Sequence, residues 1–325
     1  MPPTPSLRTP ICDLFGIEHP IFLAGMGEVA MAELCAAVSE AGGFGTLGMV
    51  AAPPDQIRDE MRRVRALTDR PFGVDMLAAL PAQMNAAIDT IIDEGAAAFI
   101  TGLGVAAPLI EKCHARGVKV MAVCGKVSHA QRAQEAGCDA VVAQGTEAGG
   151  HTGQIAGMAL VPQTVDAVRI PVLAAGAIVD GRGLAAALAL GAQGVWMGTR
   201  FVATREARAS EAYKKRIREA ASDETRITRA YSGKPMRVLR NAYIDEIERH
   251  PETIQPFPQQ FLVSARAGVL TFDRDEGTDP ERTCMPAGQG VGGIDDCPSA
   301  AEVVERVLRE ARSTIERVHG LAGAR

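Results

Sequence analysis

Up to Phe201 the chain alternates short, unbroken apolar runs with alanine- and leucine-rich stretches of helical spacing, and this rhythm limits the fold more than any other feature. The runs occupy residues 21–24, 44–47, 72–77, 97–101, 118–123, 139–143, 171–175 and 194–197, eight candidate strands in all. They are continuously apolar, as strands buried on both faces of a parallel sheet are. Helical spacing fills 31–41, 81–94, 106–116, 129–136 and 180–190, and Gly42, Gly95, Gly117, Gly137 and Gly191 stand at the ends of these stretches as stop signals. Strand and helix recur every ~20–30 residues, the pattern of repeated βα units. Eight such units predict an α/β fold of the (β/α)8 TIM-barrel type, with a doubly wound sheet as the structural rival. Barrels remain one unit at roughly 250 residues or more, so 325 residues suit a single decorated barrel.

The barrel leaves a surplus. After the eighth run come a charged, helix-prone segment at 205–222, the sequence Y-S-G-K-P-M-R-V-L-R-N at 231–241 and a proline-rich stretch at 251–260. That is too long for a closing loop. We expect residues 1–205 and 286–325 to form the barrel, and 206–285 to be a helical and loop insertion covering its C-terminal mouth, where strand-end loops build the site. There it could cap the pocket, make a homodimer contact, or both. Residues 299–318 have apolar helical spacing behind Ser299, a suitable N-cap after Pro298, and should be the last barrel helix.

Composition narrows the partners. A formal charge of −5 brings no basic stripe for nucleic acid, and no run reaches the ~18 apolar residues of a membrane span. A small-molecule partner is expected. Residues 1–10 contain prolines and one arginine without the apolar core of a secretory signal, so a cytoplasmic location is expected. Seven cysteines, an odd number without C-x-x-C pairs, suggest reduced thiols. Cys124 and Cys284 lack a paired histidine motif for thiol nucleophilicity. His19, His114, His129 and His250 fall in unrelated segments without metal-ligand spacing, so no metal site is expected.

The chemistry concentrates at two places. Residues 144–153 read Q-G-T-E-A-G-G-H-T-G and put His151 on a glycine-rich turn directly after the sixth run. Glycines there admit positive φ and let backbone approach a flat ligand, and an imidazole with a pKa near ~6.5 suits proton transfer. The second place comprises A-A-G-A-I-V-D-G-R-G at 174–183 and W-M-G-T-R-F at 196–201, after the seventh and eighth runs. Loops in those positions make phosphate sites from free backbone N–H groups. The candidates are Gly176, Ala177, Gly198 and Thr199.

Together with P-I-F-L-A-G-M-G at 20–27, S-G-K-P-M-R-V-L-R-N at 232–241 and A-G-Q-G-V-G-G-I-D-D at 287–296, these motifs resemble the nitronate monooxygenase family, FMN-dependent TIM-barrel enzymes, over nearly the whole chain in order. Flavin-type enoyl-acyl-carrier-protein reductases share the histidine and phosphate loops. The resemblance implies FMN as cofactor and oxidation of alkyl nitronates, or nitroalkanes, by O2 to a carbonyl compound and nitrite. NAD(P)H-dependent reduction of an enoyl thioester is the alternative, and a non-catalytic flavin protein is a third reading. His151 matches the catalytic acid/base, Ala24, Gly25 and Met26 the loop along the flavin ring, and Gly149 and Gly150 the loop flanking it. Gln144 and Gln289 are weighed as flavin or ribityl contacts against loop-structuring roles, and Lys126 as a cation near the flavin against a solvated lysine. Two departures stand out. The third strand of the family commonly ends in Asn, where this chain has Asp75, and an ionised carboxylate only accepts and would oppose an anionic reduced flavin. Gly176-Ala177 replaces a common Gly-Gly pair, although backbone donors survive that change.

Overall fold

The computed structural model describes residues 7–50, 52–77, 81–102, 107–271 and 278–323. Residue 106, the expected start of one helix, residues 1–6 of the N-terminal stretch and residues 272–277 of the expected insertion lie outside the described residues. In chain order the strands are β1 (Ile21–Leu23), β2 (Gly45–Val50), β3 (Phe72–Leu77), β4 (Ala98–Gly102), β5 (Lys119–Cys124), β6 (Ala140–Gln144), β7 (Gly150–His151), β8 (Val172–Ala175), β9 (Gly194–Met197), β10 (Thr225–Thr228) and β11 (Met236–Leu239). All but β7, β10 and β11 form one eight-stranded parallel sheet in the order β1-β9-β8-β6-β5-β4-β3-β2. The sheet closes where Phe22 pairs in parallel with Phe44, through Leu23 N–H to Phe44 O and Phe44 N–H to Ile21 O, both 2.9 Å. The eight expected runs are these eight strands, each within a residue or a few of its expected ends, and the chain is a (β/α)8 barrel.

The helices are α1 (Pro10–Phe15), α2 (Ala32–Glu40), α3 (Pro54–Leu67), α4 (Pro81–Asp93), α5 (Ala107–His114), α6 (Val127–Glu135), α7 (Gly157–Ala167), α8 (Gly181–Ala189), α9 (Thr199–Val202), α10 (Glu211–Glu219), α11 (Ala242–Ile247), α12 (Gln259–Arg266) and α13 (Ala300–Gly323). The five expected stop glycines have φ of +83°, +75°, +76°, +101° and +90° in chain order, the left-handed termination that glycine alone adopts without strain. Ser299 caps α13 by accepting the Glu302 N–H at 3.2 Å while Glu302 accepts the Ser299 N–H. α13 lies close against α8 because a Cβ on Gly181 would sit 2.2 Å from Ala311 N.

Apolar packing forms two shells. Phe22, Phe44, Ile100, Met121, Val142, Leu173 and Trp196 fill the barrel interior, and α1 stops its lower end with Phe15, whose ring meets Phe22 and Phe44 at 5.4 and 5.2 Å between centroids. The outer shell sits between strands and helices. Interior positions alternate along each strand, so Gly73 faces inward, where a Cβ would lie 2.6 Å from Ile100 Cδ1. Two residues on, Asp75 shares that face at the C-terminal rim.

Between β9 and α13 the chain is not helix and loop alone. β10 and β11 form a hairpin, and β11 pairs antiparallel with β7, Met236 opposite His151 and Arg237 opposite Gly150. The histidine turn is therefore a strand of a second, three-stranded sheet. Tyr231, Tyr243, Ile244 and Cys284 give this region a small apolar core of its own. Asn241 knits it together, its amide donating to Tyr231 Oη and Thr283 O at 3.0 Å while its oxygen caps α11 at Ile244 N.

Candidate active site at the barrel mouth

A cavity of about 1110 Å³ opens at the C-terminal ends of the strands. Ala24, Gly25, Met26, Asp75, Gln144, Gly149, Gly150, His151, Gly176, Ala177, Gly198 and Thr199 all line it. Gln289 does not. It is exposed, and its backbone N–H donates to Glu147 O at 2.8 Å, while its neighbours Gly288 and Gly290 reach the cavity.

Close backbone approach builds the floor. A Cβ on Gly25 would fall 2.2 Å from Asp75 Cβ, and one on Gly48 would fall 2.2 Å from Met26 O, so the first-strand loop lies flat on the rims of β2 and β3. A Cβ on Gly149 would come within 2.8 Å of the Ala287–Gly288 backbone, which packs the late glycine-rich segment beneath the histidine turn. At Gly150, φ is +74° and a Cβ would project into open space.

Gly176 and Ala177 have φ of +112° and +53°. Successive left-handed residues turn their amides toward one concave spot. Among the described residues the N–H groups of Gly176, Ala177, Gly198 and Thr199 have no acceptor in the protein. Thr199 also accepts the Gly288 N–H through Oγ1 at 3.0 Å, tying the late loop to the end of β9. Four amide donors without a protein acceptor beside a flat, glycine-floored cavity suit the phosphate and flat ring of a flavin mononucleotide.

His151 Nε2 lies 2.8 Å from Ser232 Oγ. The serine hydroxyl donates to Lys234 O at 3.2 Å and accepts the Lys234 N–H at 3.3 Å. With that proton given to the carbonyl, the ring's own Nε2–H donates to Ser232, and Nδ1 is left with the lone pair and, among the described residues, no partner. Burial, followed by the nearby Lys234 charge, lowers the imidazole pKa from 6.5 to about 4. His151 is thus a neutral base at physiological pH. Gln144 lines the cavity and donates Nε2–H to His151 O at 2.6 Å, which fixes the turn.

Asp75 resolves one departure seen in the sequence. Burial alone raises its pKa well above the ordinary carboxylate range, and among the described residues nothing hydrogen-bonds its carboxyl. Burial thus favours its neutral form, and a neutral carboxyl offers one donor and one acceptor, as the amide of Asn does. Cys124 and Cys284 also line the cavity, with burial pushing the Cys124 thiol up to about 12 and the Cys284 thiol higher still, so neither is a thiolate.

The pattern of the nitronate monooxygenase family matches residues 8–94 and 82–310. The chain belongs to that family. Its cofactor is FMN and it is an oxidoreductase, in agreement with the amide cradle just described. The (3aS,4S,5R,7aS)-5-hydroxy-7a-methyl-1-oxo-octahydro-1H-indene-4-carboxyl-CoA dehydrogenase of Mycobacterium tuberculosis is 34% identical, covering 97% of this chain and 99% of that protein. Among solved structures, FabK from Thermotoga maritima is 39% identical with a TM-score of 0.89, covering 97% and 99% of the two chains. A nitroalkane oxidase from Streptomyces ansochromogenes is 29% identical with a TM-score of 0.83, covering 95% and 99%. Family members of this shape therefore include proteins named for a CoA ester and for a nitro compound.

Sequence reading missed several residues that the structure brings to this wall. Ser232 and Lys234 come from the loop between β10 and β11, and Phe257 meets the His151 ring edge-on at 6.5 Å between centroids. Arg237 donates to Thr146 O at 3.1 Å and to Thr225 Oγ1 at 3.0 Å, and Glu147 accepts the Gly157 N–H at 2.9 Å. Glu147, Ser232, Lys234 and Arg237 stand inside the motifs at 144–153 and 232–241, where no local signal assigned them a role. Among the described residues no group of three or more His, Cys, Asp or Glu side chains is placed to hold a metal ion, and no helix is long and apolar enough to cross a membrane.

Proposed function

We propose that this FMN-dependent oxidoreductase acts on an acyl thioester carried by coenzyme A or a pantetheine arm, with His151 moving a proton at the carbon next to the thioester carbonyl. FMN, when bound, supplies the electron transfer. Ala24, Gly25, Met26, Asp75, Gly149 and Gly150 would receive its ring, the amides of Gly176, Ala177, Gly198 and Thr199 its phosphate, and residues 206–285 act as the cover of the mouth. The observation that carries the thioester reading is the reach of the cavity along α6. Lys126, His129, Arg132, Ala133 and Ala136 line it at helical spacing, and among the described residues the two cations, Lys126 and Arg132, have no carboxylate partner, while burial lowers the His129 pKa and favours the neutral ring. The cavity of about 1110 Å³ takes the FMN as well as the substrate, and its α6 end lies beyond the residues that would receive the cofactor. A phosphorylated arm uses both the length and the cations.

Oxidation of nitronates by O2 is the second reading. A neutral base beside the cavity favours it equally, since the acidic carbon of a nitroalkane needs the same proton acceptor. Anaerobic flavin absorbance near ~450 nm, the band that records flavin reduction, separates the two. Bleaching by NADPH or NADH followed by recovery with an enoyl-CoA, or direct bleaching by a saturated acyl-CoA, is the expected result. A band that ignores nucleotides and thioesters but bleaches with propyl-2-nitronate would replace the first reading by the second. His151→Ala that retains FMN and full turnover would sink both and leave a flavin-binding protein without this chemistry.

A further inference from the structure

We infer that Lys234 is the anion-receiving group of this site: its ammonium meets the substrate oxygen on which negative charge gathers when a proton leaves the carbon beside His151. Nζ lies 4.5 Å from the Phe257 ring centroid, and the same ring meets His151 edge-on, so ammonium and imidazole share one aromatic wall. Both residues line the cavity. Lys234 is partly buried, and among the described residues no carboxylate lies within ion-pair distance of it. A cation drawn out of water without an anion is an incomplete pair, costly unless something negative completes it. Among the described residues the acidic side chains lining the cavity are Glu28 and Asp75, and burial favours the neutral form of Asp75.

The backbone holds Lys234 in register with the base. Gly233 has φ +82°, and a Cβ there would fall 2.5 Å from Gln255 O, so this turn is seated against the Gln255–Phe257 segment. Ser232 then bonds the Lys234 backbone on one side and the His151 ring on the other. One hydroxyl fixes the spacing of proton acceptor and charge acceptor.

The step balances without a co-reactant. Nδ1 of His151 takes the proton, and the C–H bonding pair enters the adjoining carbonyl or nitro group. The charge comes to rest on oxygen opposite Nζ. This inference rests on the reading that His151 moves a proton, and it holds for a thioester or a nitro compound alike.

Propionate, whose two oxygens present one negative charge, is the probe. The FMN-loaded protein is titrated with propionate while the flavin band is followed, in the wild type, Lys234→Met, Lys234→Gln, Lys234→Arg and His151→Ala. We expect the propionate Kd to rise at least ~10-fold in both neutral variants and to return to within ~3-fold in Lys234→Arg, as loss and rescue of a charge-assisted contact would give. The acid limb of kcat/KM should also move to higher pH in Lys234→Met, because a neighbouring positive charge has gone. Equal propionate affinity in the wild type and in every FMN-retaining neutral variant, no binding to any of them included, overturns the assignment. If His151→Ala keeps turnover while Lys234→Met loses propionate, the proton-transfer reading fails and the anion site stands.

Discussion

The two sides of the cavity are held by different physics. The barrel side is backbone: glycines at strand ends, amides without acceptors, and contacts so close that a single Cβ would collide. The far side is side chains, Ser232 and Lys234 with Arg237 behind them, borne on a hairpin that joins the barrel through β7 and β11. A backbone-built surface keeps its shape through many substitutions because its donors belong to no side chain. A surface built from a docked hairpin depends on a few polar pins, and losing one moves the base and its charge partner together. We therefore expect cofactor binding and turnover to separate by mutation along this line.

Arg237 is the sharpest test of that separation. It is 7% exposed, and it links the hairpin to the glycine turn through Thr146 O. A hydrogen bond from a charged group contributes about 1.5–3 kcal/mol, so Arg237→Met should lower kcat by roughly 10–100-fold while leaving FMN affinity within ~2-fold. Steady-state kinetics beside fluorescence titration of FMN into stripped protein would measure both. Parallel losses in the two quantities would break the division of labour.

Next in size is the rim of α6. Lys126→Gln with Arg132→Gln should raise KM for a CoA thioester about 10-fold at low salt, with the difference from wild type fading as ionic strength rises and screening shortens. KM for propyl-2-nitronate should not change. An equal rise for both substrates would mean that these cations act on the flavin instead.

The acid limb of the pH profile probes the far side alone. His151 has a folded pKa near 4 against 6.5 when unfolded, so its base form persists well below neutrality and kcat/KM should hold until the pH approaches 4. The linkage sign follows from the same shift. Between about pH 4 and 6.5 the unfolded chain binds more protons at this residue, so its contribution to stability rises with pH across that window and levels off above it. A limb near 6.5 in the wild type would show the imbedded imidazole to be more hydrated than its surroundings require.

What the sequence disclosed follows the same division. The strands, the glycine stops, Ser299 at α13 and the free-amide loops were legible because each depends on local chemistry. α7 was not, since Pro162 sits inside it and Gly157 opens it, and burial of Leu160, Val161 and Thr164 overrides that propensity. α3 went unread although Ile57, Met61 and Val64 mark a buried stripe, because charges dominate its composition. The pairing of His151 with Met236 joins residues far apart in the chain, and no local signal carries such a register. The charge of Asp75 was not legible either, because it is set by burial, a tertiary property that favours the neutral carboxyl.

Ala177 tests the barrel side with the smallest expected effect. Its φ of +53° puts a Cβ in the left-handed region. That conformation costs about 1–2 kcal/mol for a residue with a Cβ, and glycine returns part of this as extra freedom in the unfolded chain. Ala177→Gly should therefore raise the Tm of the FMN-loaded protein by only ~1–3 °C and leave FMN affinity within ~2-fold, since the amide that faces the phosphate is untouched. A large gain in FMN affinity without a change in Tm would instead mean that the Ala177 methyl crowds the cofactor, and the cradle would then owe its shape to a side chain after all.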